Sequence, residues 1–388
     1  MANINLTEEQ KLLYRTAREF CERELIPHET LLESTNDLPR ELEMSIRHKA
    51  MAAGLHACNM PESVGGAGLD CVSFTLVEKG LSRASRALAA CVHRPSNILA
   101  ACKGQQIPHF LDPVMRGEKR ECIAMTEPDA GSDLRGMKTR AVKDAAGWVI
   151  NGTKHFITNA QISDFVILFA STGEEAGSTR VCGRISCFLV DLDTPGLEVA
   201  KGYDPMGPRG QHNNILRFDD VRVGDWQMVG AEGEGFAVVN GWLGPGRLTV
   251  ATVCQARAER AFEVAVDHAA QRKQFGQPIW KFQGIGFPLA DMAVDIRLGN
   301  LLLMDTAWRV DQKLPTVAED CAMAKLWCSE MLGRVADQAI QTCGGNGIRA
   351  DLPLERIYRD ARVERIWEGS SEVQRQIIGR RLIYQKDR

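Results

Sequence analysis

Four stretches of the sequence bring together residue types that can do chemistry. Arg365-Ile366-Trp367-Glu368-Gly369-Ser370-Ser371-Glu372-Val373-Gln374 puts a carboxylate beside an indole, just ahead of a helix start. Ser371 and Gln374 have capping-box spacing, so Glu368 falls in the joint between two helices. A carboxylate in an apolar, water-poor joint holds its proton more tightly, which suits a general base near neutral pH. A solvated loop acid would read the same way. Ala124-Met125-Thr126-Glu127-Pro128-Asp129-Ala130-Gly131-Ser132-Asp133 offers hydroxyl donors and a glycine that admits close backbone approach to a ring or phosphate, or else forms a surface loop. Arg272-Lys273-Gln274-Phe275-Gly276, followed by Phe282-Gln283, could hold a pyrophosphate and an adenine, or end a helix with basic residues and Gly276 as cap. Gln341-Thr342-Cys343-Gly344-Gly345-Asn346-Gly347 exposes backbone amides that can seat an anion, or stops a helix. Taken singly, each stretch is better explained as ordinary structure than as a site.

The elements that must position these stretches change character twice. Residues 1–120 read as helical, opened by a capping box at Thr7 and Gln10 and followed by a second run over Leu38–Ala53. Pro61 to Gly68 reads as a loop between helices. Over 121–232 the period shifts towards two. Gly147–Ile150, Asn151-Gly152 and Thr153–Thr158 predict a hairpin with a type I′ turn, and Phe165–Ala170, Cys187–Asp191 and Asn214–Phe218 predict further short strands. The expectation is a small antiparallel barrel or sandwich. From 233 to 388 the helical period returns, with Cys254, Ala258, Ala261, Phe262, Ala265 and Ala269 on one stripe and runs over Ile285–Asp311, Thr316–Thr342, Leu354–Trp367 and from Ser371. The fold class is α+β: a helical domain, a β-domain and a helical bundle.

Composition narrows the function. The 388 residues allow two or three domains at roughly 150 residues each. Lys+Arg is 47 and Asp+Glu 50, a net −3, with no basic run, which disfavours non-specific nucleic-acid binding. No apolar stretch reaches the ~20 residues of a membrane-spanning helix, and Met1 to Gln10 has no secretory pattern, so the expected location is the cytoplasm. The 12 cysteines lack Cys-x-x-Cys spacing and the eight histidines lack His-Glu-x-x-His; the expectation is reduced, mostly buried thiols and no metal site. Cys321 and Cys328 share a helix face, which suits core packing.

In combination the stretches resemble the acyl-CoA dehydrogenase family. Met125-Thr126-Glu127-Pro128-x-Ala130-Gly131-Ser132-Asp133 resembles its first signature. Gln341-x-x-Gly344-Gly345-x-Gly347 through Tyr358-Arg359-Asp360 resembles the second. Arg272-x-Gln274-Phe275-Gly276 with Gln283, and Pro61-Glu62-x-x-Gly65-Gly66-x-Gly68-Leu69, are further landmarks, in order from about residue 7 to 385.

The resemblance implies FAD, two helical domains around a β-domain, and α,β-dehydrogenation of an acyl-CoA thioester in fatty-acid β-oxidation. It implies that Ile123, Met125, Thr126, Gly131, Ser132, Phe156 and Thr158 line the flavin, with Ser370 and Glu372 near the final helix. Arg272, Phe275, Gln283, Gln341, Gly344 and Gly345 match the pyrophosphate and adenosine contacts, partly across a subunit interface, so a homo-oligomer is implied, at least a dimer and by family habit a tetramer. Ser132, Arg247 and Gly369 match substrate contacts, and Glu368 matches the catalytic base of the short- and medium-chain type. Electron-transferring flavoprotein is the implied acceptor. Some relatives carry the base one residue before the arginine matched by Arg247; here that residue is Gly246, leaving Glu368. Leu243 to Arg247 also lacks an acid with which certain relatives contact substrate. The polar stretch Val92-His93-Arg94-Pro95 sits near the acyl-tail region, so His93 or Arg94 could face a short, polar or acidic acyl group, or be a cation on a solvated helix end. Alternatives are an enoyl-CoA reductase, an acyl-CoA oxidase, a desulfinase-like enzyme, or a non-catalytic flavin- or CoA-binding protein.

Overall fold

The computed structural model describes residues 6–174 and 183–384. The N-terminal part is helical: α1 (Glu8–Phe20), α2 (Glu29–Thr35), α3 (Arg40–Ala52), α4 (Cys71–Leu81), α5 (Arg86–Cys91) and α6 (Asp112–Met115). The capping box that opens α1 is made in both directions, Gln10 N–H to Thr7 Oγ1 and Thr7 N–H to Gln10 Oε1, each at 3.1 Å. The Pro61–Gly68 segment is a loop holding one short 3-10 turn.

The middle part is a sheet of β1 (Glu121–Ala124), β2 (Arg140–Asp144), β3 (Gly147–Thr158), β4 (Phe165–Glu174), β5 (Gly183–Asp191), β6 (Leu197–Lys201), β7 (Asn213–Val223) and β8 (Met228–Val229). The order is β6-β7-β3-β2-β4-β5-β8, with β1 beside β4. Most pairs are antiparallel, but β4 runs parallel to β1 and to the start of β2, an exception to the expected antiparallel pattern. β4 is buried on both faces. Phe165, Ile167 and Phe169 pack towards the N-terminal helices, while Val166, Leu168 and Ala170 fill the opposite face with Trp148 and Phe188.

The predicted hairpin at Asn151-Gly152 is not there. β3 runs straight through it with a register shift between Ile150 and Gly152, and the tight turn comes earlier, where Asp144 pairs with Gly147. Gly152 is needed for close approach instead: a Cβ there would lie 2.5 Å from Thr139 Oγ1. Asn151 is occupied by Asp220, through both its side-chain amide and its carbonyl oxygen.

The C-terminal part is a helical bundle of α7 (Gly235–Gln271), α8 (Gln283–Asp311), α9 (Val317–Cys343), α10 (Pro353–Glu364) and α11 (Ser371–Tyr384), with a two-stranded ribbon, β9 (Lys273–Gln274) and β10 (Gln277–Pro278), between α7 and α8. Cys254, Ala258, Ala261, Ala265, Cys321 and Cys328 are fully buried in its core. The described cysteines are all unpaired. Among the described residues no group of His, Cys, Asp and Glu could hold a metal ion.

Buried charge ties the two helical parts together. The Glu29 carboxylate accepts from Ser85 N–H at 2.9 Å, from both guanidinium nitrogens of Arg260, and from Arg356. Asp311 at the end of α8 accepts from the Cys71 and Val72 amides, at 2.6 and 3.0 Å, and so caps α4 across the domain boundary.

Candidate active site

Glu368 lies in the turn between α10 and α11, where two successive residues are left-handed: Glu368 at φ 52° and Gly369 at φ 82°. Glycine adopts this region freely; a glutamate there has to be held. The Gln374 amide donates to the Glu368 carbonyl at 3.1 Å and to the Gly369 carbonyl at 2.7 Å. Lys325 Nζ, from α9, donates to the same Gly369 carbonyl at 2.8 Å. The capping box read from Ser371 and Gln374 does not form. Gln374 is occupied by these carbonyls, Ser371 Oγ donates to Glu330 at 2.8 Å, and Ser370 takes the cap position, with Val373 N–H to its Oγ at 3.4 Å.

The carboxylate points towards α7. A Cβ built on Gly246 would lie 3.5 Å from Glu368 Oε2. Among the described residues the buried Oε2 has no hydrogen-bond partner, and neither has the buried Nε of Arg247. Among the described residues no ion pair joins the two. Burial pushes the Glu368 carboxyl above its ordinary range; Arg86, Arg247 and Lys325 pull it back, and Glu364 adds to the rise. The surroundings of the buried Oε2 are therefore cationic, although the turn itself is only half-buried, whereas the sequence had suggested an apolar joint. Trp367 donates its indole N–H to Glu364 at 2.7 Å, and the Arg86 guanidinium lies 4.2 Å from the centre of the Trp367 ring. A buried donor and a buried acceptor left without partners can be completed by a ligand or by water.

A second group sits on the β-domain. Ile123 is in β1, and the loop after it carries Met125, Thr126, Gly131 and Ser132, the last two exposed. This loop is held from beneath by a buried pair. Lys154 Nζ donates to Glu127 at 2.7 Å and to the Met125 carbonyl at 3.0 Å, while Glu127 also accepts from the Lys138 and Thr139 amides. Burial pushes the Lys154 ammonium down to about 8. Thr126 accepts from His155 N–H at 3.0 Å, which ties the loop to β3. There a register shift between Lys154 and Ile157 turns Phe156 outward at φ 54°, its ring 4.6 Å from that of Tyr203, with Thr158 two residues on.

The remaining candidates stand apart. Arg272 ends α7, so Gly276 is not that helix's cap; Phe275 and Gly276, both at positive φ, form the tip of the β9–β10 ribbon. Phe275 is 93% exposed, and Gln283 opens α8. Gln341 accepts from Gly344 N–H at the end of α9, where Gly344 and Gly345 face open space, with no heavy atom within 4 Å of a built Cβ. No hydrogen bond or ring contact among the described residues joins these two groups to each other or to Glu368. A bulged strand presenting an aromatic edge, an open loop at Gly131 and an open glycine turn fit a flat ring with a long polar tail, as FAD has.

His93 and Arg94 are engaged by carboxylates and lie mostly out of solvent, not on a solvated helix end. Arg94 makes a two-pronged pair with buried Glu78, at 2.8 and 3.1 Å, and donates to the Ala89 carbonyl; His93 pairs with Glu121 at 3.1 Å. Sequence reasoning missed Arg86, Lys325 and Lys154. Lys325 left a signal: one lysine between Cys321 and Cys328 on an otherwise apolar helix face.

Profiles of the acyl-CoA dehydrogenase N-terminal, middle and C-terminal domains match residues 7–118, 122–221 and 233–383. The chain is 36% identical over 387 residues to the probable acyl-CoA dehydrogenase YngJ of Bacillus subtilis, covering 98% of this chain and 100% of that one. It is also 36% identical to the human mitochondrial short-chain specific acyl-CoA dehydrogenase, covering 98% and 92%. Its structure superposes on butyryl-CoA dehydrogenase from Megasphaera elsdenii with a TM-score of 0.87 at 32% identity, covering 98% and 100%. With these matches spanning all three parts of the fold, the chain belongs to the acyl-CoA dehydrogenase family and is an FAD-dependent oxidoreductase that dehydrogenates acyl-CoA thioesters.

Proposed function

We propose that Glu368 is the base that removes the α-proton of the acyl-CoA, converting it to the trans-2-enoyl-CoA. The observation that carries this reading is the buried Oε2 without a partner, aimed at the residue-free face of Gly246. Glycine at 246 keeps a side chain of α7 off the carboxylate, whose Oε2 would be in van der Waals contact with a Cβ there. Bound FAD supplies the acceptor for the hydride that leaves the β-carbon. The backbone N–H groups of the Glu368–Gly369 turn are available to the thioester carbonyl, where charge develops as the proton leaves. Arg247 and Ser132 bind the CoA side. Substrate expels water from the turn, which raises the proton affinity of Glu368 further at the moment it must act.

Ile123, Met125, Thr126, Gly131, Ser132, Phe156, Thr158, Ser370 and Glu372 would hold the flavin end, and Arg272, Phe275, Gln283, Gln341, Gly344 and Gly345 the pyrophosphate and adenosine. The separation of the last six supports a site completed by a second copy of the chain. An exposed apolar stripe on α8, formed by Phe287, Val294, Leu298, Leu301 and Trp308 at helical spacing, supports the same reading. The assembly proposed is a homotetramer, with electron-transferring flavoprotein as acceptor and short acyl groups as substrates in fatty-acid β-oxidation. No described helix is long and apolar enough to cross a membrane, and a cytoplasmic location is proposed.

The test is anaerobic titration of the purified yellow protein with a series of acyl-CoAs, following loss of flavin colour. Wild type is expected to bleach. Glu368→Gln should keep its FAD and lose about 10²–10⁴ in rate, the span of one positioned base. A variant that bleaches at the wild-type rate refutes the assignment.

A further inference from the structure

We propose that Lys325 is a positioning residue for Glu368, clamping the Gly369 carbonyl from inside the bundle and setting a fixed positive charge beside the base. The inference rests on the reading of Glu368 as the base.

Lys325 is fully buried in α9, in the layer formed by Cys321, Ala324 and Cys328. Its one hydrogen bond among the described residues is Nζ to the Gly369 carbonyl at 2.8 Å, and no carboxylate lies within ion-pair distance of it. Taking an ammonium out of water for a single neutral acceptor is unfavourable. Packing alone would be served by methionine, which has nearly the same length. The carbonyl does not need the lysine either, because the Gln374 amide already donates to it at 2.7 Å. What lysine alone adds is charge, delivered to the peptide unit next to Glu368.

Two consequences follow from that placement. The first is geometric: Lys325 and Gln374 grip the left-handed turn from two helices, α9 and α11, and so fix where the carboxylate points. The second is electrostatic. The charged and titratable groups facing Glu368 are Arg86 from α5, Arg247 from α7, Lys325 from α9 and Glu364 from α10; Cys254 of α7 also faces Lys325. Arg247 is assigned to the substrate, and Arg86 is stacked on Trp367 with Glu364 3.9 Å away. Lys325 is the cation of the three with neither a substrate role nor, among the described residues, a carboxylate within ion-pair distance. Burial also pushes the Lys325 ammonium below its ordinary range, while Glu364 and Glu368 pull it up. Because Lys325 is already buried, its interaction with Glu368 is weakly screened by solvent.

The experiment measures protonation of the Glu368 carboxyl directly, by infrared titration of the holoenzyme, the band being assigned by its loss in Glu368→Gln. The pH profile of flavin bleaching is recorded in parallel. In Lys325→Met and Lys325→Gln, both neutral, the midpoint should rise by at least about one pH unit, a tenfold gain in proton affinity, and the rising limb of bleaching should move with it. Gln374→Leu, which removes hydrogen bonds but no charge, should slow bleaching with the midpoint unmoved. A wild-type midpoint in the neutral variants overturns the proposal. If neither neutral variant folds, Lys325→Arg decides: retention of charge must retain the midpoint, and a displaced one overturns the idea. A wild-type enzyme whose bleaching does not follow the Glu368 titration would instead refute the base assignment, a result separable from the role of Lys325.

Discussion

Glu368→Gln is expected to make the folded protein more stable above neutral pH while slowing its chemistry about 10²–10⁴-fold. The carboxylate is forced into a buried position with Oε2 unpartnered. Leaving a buried acceptor unpaired costs about 1–3 kcal/mol. Three cations offset part of this, yet burial prevails and the carboxyl is held above its ordinary 4.5. The sign follows from linkage. A raised folded-state value means that the folded protein binds the proton more tightly than the unfolded chain. That contribution to stability is fully present below the unfolded value and is lost as pH rises through the folded one. As pH rises towards 8 the wild type therefore loses stability that the untitratable amide keeps, and the variant should end the more stable by about 1–2 kcal/mol, the order of one buried unpaired polar group. At pH 4, where the wild-type carboxyl is already protonated, the gap should close. The assay is denaturant unfolding of both proteins at pH 4, 6 and 8 with FAD content matched. A variant less stable than wild type at pH 8 would show that Arg86, Arg247 and Lys325 outweigh desolvation, and the reasoning would fail.

Arg94→Ala should lower stability by about 3–5 kcal/mol, because Glu78 is left buried without its two-pronged partner. Its kcat/KM should change by the same factor for butyryl-CoA and for a carboxylated short-chain thioester; a loss confined to the carboxylated substrate would restore Arg94 to the acyl end. Leu298→Arg, on the exposed apolar face of α8, should reduce the mass in size-exclusion chromatography with light scattering and release FAD on dilution. An unchanged assembly would remove that face from the interface.

The parts of the fold legible in the sequence were those fixed by local periodicity. Thr7 and Gln10 cap α1 as written, and the alternating burial of β4 follows from an unbroken apolar run. Errors arose where a local signal met a non-local partner. Asn151-Gly152 reads as a turn, but Thr139 approaches so closely that only glycine fits in a continuous strand. Ser371 and Gln374 read as a capping box, but their side chains are taken by Glu330 and by the carbonyls of the Glu368 turn. His93 and Arg94 looked available because Glu78 and Glu121, their partners, are 16 and 28 residues away in sequence. In the candidate site, the left-handed turn carrying Glu368 falls in the joint between two helices that the sequence placed there. Lys325, 44 residues from the carbonyl that it grips, was not legible, since no spacing rule connects them.

The Glu29 carboxylate has a wider consequence than its hydrogen bonds suggest. It joins Ser85, Arg260 and Arg356, the last 327 residues downstream, and Ser85 immediately precedes the Arg86 that rests on Trp367. The opening helices are thereby anchored to the residue that stacks on Trp367, next to the proposed base. A lesion in the first thirty residues, far from any reacting atom, would loosen the floor under the indole and reach the chemistry without altering a single ligand contact.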